Sequence, residues 1–387
     1  MLRFILALLL ALSPQAALAQ APPEESPPDS PLVTLYKTGS VEDLSQALAS
    51  GAEVNQVDGP DGLTPLMLAA GFNPHPEVTA LLAQKGARLE AQENNFGLTP
   101  LMFAASRNRP SVVEALLKAG AEVNHRDKHG ETALYHAATN NGNPGAIDLL
   151  IRAGADPELA DLDGRTPLIQ AAYRANLPAI NFLVRMKARL EGADHSGRTS
   201  LIVAAETPEA LEALVRLIDL GAGLEARDQD GRTPFLAAAA LNRRAEALTI
   251  LKKAGADPAA RDKTGADALL LAALSNPNPE VIKALMNLGA DINARRANGL
   301  TPLLAAAGNP KAEVARQLIR AGADAQAKDL HGRNSLILAI SLNPNLEVAK
   351  TLVNGGVSPN EPDKQGRTAL DYAREMRPEL APFLTRD

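Results

Sequence analysis

Apolar positions in this chain fall in short clusters that return on a fixed beat. One unit shows the pattern. Gly97-Leu98-Thr99-Pro100-Leu101-Met102-Phe103-Ala104-Ala105 is followed by polar residues around Arg107-Asn108. Thr99 is placed to cap a helix, and Pro100 fits its first turn, where the amide proton it lacks has no intrahelical partner. Pro110 opens a second helix in which Val113, Leu116 and Leu117 fall at helical spacing. Gly120 suits a left-handed residue just past a helix end. Ala121 to His129 then reads as an extended stretch and a turn into the next glycine, Gly130.

That glycine recurs as Gly62, Gly97, Gly130, Gly164, Gly197, Gly231, Gly265, Gly299, Gly332 and Gly366, and the first and last lie 304 residues apart over nine steps. The period is therefore ~34 residues, in the range of stacked-repeat architectures. A unit this small cannot bury its own apolar face and must stack on its neighbours. Small pairs such as Ala104 and Ala105 let neighbouring helices approach closely. The expected fold is all-α, a solenoid that offers long surfaces rather than enclosed pockets.

GLTPLMFAA, GRTPLIQAA, GRTPFLAAA and GLTPLLAAA, followed by LLKAGAEVN, LLIRAGADP or LIRAGADAQ, resemble the ankyrin repeat. The resemblance covers residues 31–387. It implies two antiparallel helices and a projecting β-hairpin or turn per repeat, stacked into a curved solenoid. It also implies protein binding through the finger tips and the concave helical face. Residues 31–60 are expected to form an N-terminal cap repeat, 61–363 nine repeats and 364–387 a C-terminal cap, eleven helix pairs in all. At ~8–10 Å between packed helices, the stack should be on the order of 100 Å long.

Three departures from the family pattern stand out. The histidine usual after Thr-Pro-Leu is replaced by Met67, Met102, Tyr135, Ile169, Ile202, Leu236, Leu270, Leu304 and Ile337, so apolar packing is expected to replace its hydrogen bonds. Asn73-Pro74, Asn276-Pro277, Asn309-Pro310 and Asn343-Pro344 occupy turns between paired helices, where proline stiffens the chain. Lys187 stands where other repeats carry the helix-ending glycine; either it is a left-handed non-glycine residue, at a cost of roughly 1 kcal/mol, or the turn differs there.

The N-terminus adds a destination. Arg3, the apolar run Phe4 to Leu12 and the small-x-small site Ala17-Leu18-Ala19 have the layout of a secretory signal peptide over residues 1–19. The run is too short for the ~20 residues that cross a bilayer, so no transmembrane segment is expected after cleavage. Residues 20–30 are rich in proline and acid and read as a disordered spacer. In a Gram-negative cell the mature protein is expected to be periplasmic; in another cell type it would be secreted.

Composition narrows the chemistry. The chain has no cysteine, which removes thiol catalysis and cysteine-ligated zinc. With 45 acidic against 39 basic side chains it is acidic overall, against the basic surface that a nucleic-acid partner requires. No phosphate-binding glycine loop, His-Glu-x-x-His or Gly-x-Ser-x-Gly occurs. No catalytic residue, cofactor or metal is therefore assigned. His125, His129 and His136 fall within one repeat and read as exposed hairpin histidines rather than a metal centre. Asp127, Asp161, Asp194, Asp228, Asp262 and Asp329 recur at one finger position, where an aspartate stabilises a turn through its own backbone.

The residues after each alanine pair are expected to face the concave side. Phe72, Arg107, Tyr173 and Arg174 there are types enriched at binding hot spots. Phe103 and Tyr135 are added as candidates from the inner helices, with Phe103 four residues before Arg107 and so on the same side. Arg165, Arg198 and Arg232 each follow a finger glycine in successive repeats and would form a row, facing a partner's acidic groups or pairing with nearby Asp163 and Asp230. Together these features point to a non-catalytic scaffold or inhibitor, monomeric on its own, that binds a periplasmic or envelope protein. Two alternatives share the fold: a secreted effector or toxin-neutralising protein, and a cell-wall or carbohydrate-binding module with Phe72 and Tyr173 as aromatic platforms.

Overall fold

A computed structural model describes residues 30–107, 109–139 and 144–385. The expected signal peptide and nearly all of the spacer lie outside these residues. The described chain forms eleven helix pairs, from Pro31–Thr38 with Val41–Ala49 to Ala369–Met376 with Ala381–Leu384. The first helix of each pair packs on the first helix of the next, and second helices pack likewise as far as Leu346–Asn354, so an inner and an outer layer run along the stack.

The two layers differ as their sequences require. Inner helix Pro65–Phe72 buries Pro65 to Gly71 without interruption, because it is flanked by a helix on each side and backed by its own partner. Outer helix Pro110–Lys118 buries only Val112, Val113 and Leu116 and is amphipathic. Inner helices start on a side-chain cap: Thr166 Oγ1 accepts the Ile169 amide at 3.3 Å, and Asp267 and Asn334 accept the Leu270 and Ile337 amides at 2.9 Å. In the place of the usual histidine, Met67, Met102, Ile169, Ile202, Leu236, Leu270, Leu304 and Ile337 are fully buried apolar residues. Tyr135 differs: its hydroxyl donates to Asp161 Oδ2 of the next repeat at 2.9 Å.

The fingers are turns rather than strands. Among the described residues only isolated antiparallel bridges occur, at Asp58–Leu63, Ala193–Thr199 and Lys328–Asn334. Each finger aspartate closes its own turn. Asp161 Oδ1 accepts the amides of Asp163 and Arg165 at 2.9 and 2.8 Å, and Asp127, Asp194, Asp228, Asp262 and Asp329 repeat this geometry. Glu93 does the same in an earlier finger through the amides of Asn95, Phe96 and Leu98. Fingers also bond to one another, as in His195 N to Asp163 O at 2.9 Å and Gln229 N to Ser196 O at 2.8 Å. Gly164 is required twice over: its φ is +80°, and a Cβ there would sit 2.7 Å from the His195 amide nitrogen.

The Asn-Pro turns owe more to asparagine than to proline. Asn309 is fully buried. Its Nδ2 donates to Ala273 O and Asn276 O, both at 3.0 Å, and its Oδ1 accepts the Lys311 amide at 3.0 Å. Asn276 bonds to Ala239 O and Asn242 O, and Asn343 to Ala307 O and Asn309 O. Asn242, which no proline follows, extends the series back to Ala205 O. The result is a buried asparagine ladder that ties each inner turn to the turn before it.

Lys187 adopts the left-handed conformation that its glycine counterparts adopt, with φ +67°. Lys187→Gly should therefore stabilise the chain by about 1 kcal/mol, because glycine removes the Cβ penalty at positive φ. A raised urea midpoint checks this; a lowered one would mean that the lysine side chain makes a contact of greater worth.

Candidate functional site

The candidate residues lie at the ends of inner helices, within them and on the fingers, and the structure sorts them. Phe72, the last residue of helix Pro65–Phe72, is half-buried with two cations over its ring. Lys37 Nζ lies 5.2 Å from its ring centroid and Arg107 Cζ lies 5.0 Å away. Burial, together with Arg109, lowers the Arg107 pKa, which leaves a guanidinium with fewer water contacts than a surface arginine. Arg109 itself donates to Asn73 O at 2.6 Å. Tyr173 ends helix Pro167–Tyr173 with Arg174 beside it. Both are half-buried, and among the described residues neither side chain makes a hydrogen bond or ion pair.

Phe103 and Tyr135 do not belong to this surface. They are 4% and 2% exposed. Phe103 packs against Gly71 of the preceding inner helix, where a Cβ would meet its ring at 3.3 Å. Tyr135 is turned into the interface with the next repeat by its bond to Asp161. Mid-helix positions face neighbouring helices in a stack, whereas the last turn of the inner helix reaches solvent.

The three arginines sit on successive fingers and are held by local acids. Arg165 Nε is 2.8 Å from Asp161 Oδ2, with Nη2 2.8 Å from Asp163 Oδ2. Arg198 pairs with Asp194 at 2.8 Å and Glu206 at 3.4 Å, and Arg232 pairs with Asp230 at 3.3 Å. Glu206 closes helix Ser200–Glu206 in this row. Burial, reinforced by nearby Asp228, pushes its pKa up to about 7 against the pull of Arg198 and Arg232.

The histidines also separate. His129 is exposed and lies against Phe96, ring centroids 5.8 Å apart. His125 is half-buried beside Glu122 and Glu90, with Nδ1 at 3.3 and 3.6 Å. His136 is not an exposed hairpin histidine: it is buried on the inner helix Ala133–Thr139, its Nε2 3.0 Å from Asp127 Oδ2 and 3.5 Å from Glu131 Oε2. Burial depresses the imidazole pKa, but the bond to Asp127 and the charges of Glu131 and Asp127 outweigh it, and the pKa stands above its ordinary value. Burial, with Asp127 and Asp161 adding to it, raises Glu131. Sequence spacing reveals the histidine without its partners, because Asp127 reads there as a turn residue alone.

A family model of ankyrin repeats in three copies matches residues 34–127, 92–161, 134–228, 201–296, 269–363 and 303–386. This chain belongs to the ankyrin-repeat family. Ankyrin repeats are a protein–protein interaction scaffold, an architecture that typically carries no catalysis. Among solved structures, the human ASB11 ankyrin repeat domain is similar at a TM-score of 0.52 and 24% identity, over 59% of this chain and 99% of that one. Human SH3 and multiple ankyrin repeat domains protein 2 is 32% identical over 102 residues, 26% of this chain and 6% of that protein. The ankyrin chain thus spans a small fraction of that relative's length. Among the described residues, no helix is long and apolar enough to cross a membrane.

Proposed function

We propose that this ankyrin-repeat chain is exported and acts as a non-catalytic scaffold or inhibitor, holding a periplasmic or envelope protein on its concave face and finger tips. The observation that carries the surface assignment is Tyr173 with Arg174. An aromatic ring and a guanidinium stand side by side, half-buried, with polar groups uncommitted to the chain's own structure. Such residues lose little internal bonding when a partner covers them, and they are the types on which binding energy concentrates. The pinned finger arginines supply the rim: already paired, they add register more than affinity. The export signal in residues 1–19 supplies the compartment. The cell-wall reading is weakened by Phe72, whose ring already has Lys37 and Arg107 over it, in competition with any sugar.

Affinity capture with the mature chain from periplasmic extract should recover a stoichiometric protein partner. Tyr173→Ala combined with Arg174→Ala should weaken that complex by ~2 kcal/mol or more with little change in stability. Unchanged affinity in the double variant would move the contact elsewhere, first to the finger tips. Recovery of the native protein in the growth medium instead of the periplasm would favour the secreted-effector reading.

A further inference from the structure

We propose that Asp127, Glu131 and His136 form a binding site for one divalent transition-metal ion, with zinc the best fit to the donor set. The repeat array supplies its own controls. Ten residues follow the finger glycines, and Glu131 is the only acid among them; Arg165, Arg198, Arg232, Arg333 and Arg367 are basic, and the rest are apolar. In three sister fingers the arginine neutralises the finger aspartate directly, at 2.8–2.9 Å for Asp161–Arg165, Asp194–Arg198 and Asp329–Arg333. Where that guanidinium would stand, this repeat places a second carboxylate and brings a buried imidazole to both. Asp127, Glu131 and His136 thus bring two carboxylates and one imidazole together, a donor set that suits a divalent cation.

The geometry suits such an ion. His136 Nε2 lies 3.0 Å from Asp127 Oδ2 and 3.5 Å from Glu131 Oε2, and one donor atom from each residue falls within 4.8 Å of the other two. A tetrahedral zinc ion with bonds of ~2.0–2.2 Å spaces its ligands by ~3.3–3.6 Å, so small side-chain adjustments complete three protein ligands. Asp127 is already held in a ligating orientation, because its Oδ1 accepts the His129 and Glu131 amides at 2.9 Å and leaves Oδ2 for the ion. On binding, the imidazole nitrogen gives up its proton to solvent and donates its lone pair to the metal. The next inner helix carries an amide in the imidazole's place. Gln170, the counterpart of His136 one repeat on, is buried, with Nε2 3.3 Å from Thr139 Oγ1 and an Oε1 that has no partner among the described residues.

The other group of this composition, Glu90, Glu122 and His125, lies on loops, with Glu122 exposed and the other two half-buried. Its His125 Nε2 already contacts Gln92 at 2.6 Å. It serves as the control.

Equilibrium dialysis of the full chain against zinc, with cobalt absorption in the visible range as a report of coordination geometry, tests the site. The wild-type chain and His125→Gln should each bind one equivalent at micromolar free metal. Glu131→Arg recreates the sister-repeat ion pair and should fold normally, yet bind at least ~10-fold more weakly, and His136→Gln should lose affinity likewise. Should Glu131→Arg fail to fold, His136→Gln decides alone. No binding by the wild-type chain at micromolar zinc, undiminished binding in the folded variants, or an equal loss in His125→Gln would overturn the proposal. A purely structural histidine–carboxylate contact predicts the first of these outcomes.

Discussion

Asn309→Ala should destabilise the chain by about 3–5 kcal/mol, as much as truncating a large buried apolar side chain. The cost comes from orphaned polar groups. The wild-type side chain is fully buried and makes three hydrogen bonds, two of them to carbonyls of the preceding repeat. Alanine leaves Ala273 O, Asn276 O and the Lys311 amide without that partner in a site closed to water. Each buried unsatisfied group costs about 1–3 kcal/mol, and the loss is not fully additive. Pro310→Ala, by contrast, changes only the freedom of the unfolded chain and should cost ~1 kcal/mol or less. Urea unfolding of the two variants side by side checks the ordering. An equal or larger effect at Pro310 would show that turn stiffness, rather than the asparagine ladder, couples the repeats.

Glu206→Gln should raise stability at pH 8 by roughly 2–3 kcal/mol and have little effect at pH 4. The sign follows from proton binding. An unfolded glutamate releases its proton near 4.5, whereas the buried Glu206 holds it up to about 7. Between those values the native state binds more protons than the unfolded state, so this group's contribution is fully present below the unfolded pKa and is lost as pH rises through 7. A shift of this size corresponds to about 3 kcal/mol as an upper figure. Glutamine keeps an oxygen for Arg198, 3.4 Å away in the wild type, and removes the ionisation. Asp228, Arg198 and Arg232 surround the site and are unaltered by the change. Stability measured against pH should therefore converge for the two proteins in acid and diverge above neutrality. Parallel curves would place the Glu206 ionisation near its ordinary value.

Features tied to the local backbone were legible in the sequence. The finger glycines, the Thr-Pro helix starts and the finger aspartates each depend on residues within a few positions, and each stands where the spacing placed it; at Lys187 the sequence left a left-handed residue or a different turn open, and the structure has the former. The asparagine ladder was not, because its acceptors are main-chain carbonyls 33–37 residues away, and a carbonyl carries no residue identity. Proline drew attention in those turns, although Asn242 bonds across the repeat without one. The candidate surface was half legible. Helical periodicity grouped Phe103 with Arg107, yet a helix in a stack has covered flanks as well as an open face, and Phe103 is on a covered one. His136 was visible as a residue but not as a member of a cluster, since its partners are carboxylates five and nine positions earlier on the finger.

The central claim is that the described residues form an open row of nearest-neighbour units, and small-angle X-ray scattering of the chain in solution tests it most directly. A stack on the order of 100 Å long has a radius of gyration of about 30 Å, and that is the predicted result. A value near 20 Å, expected of a compact globule of ~360 residues, would contradict it.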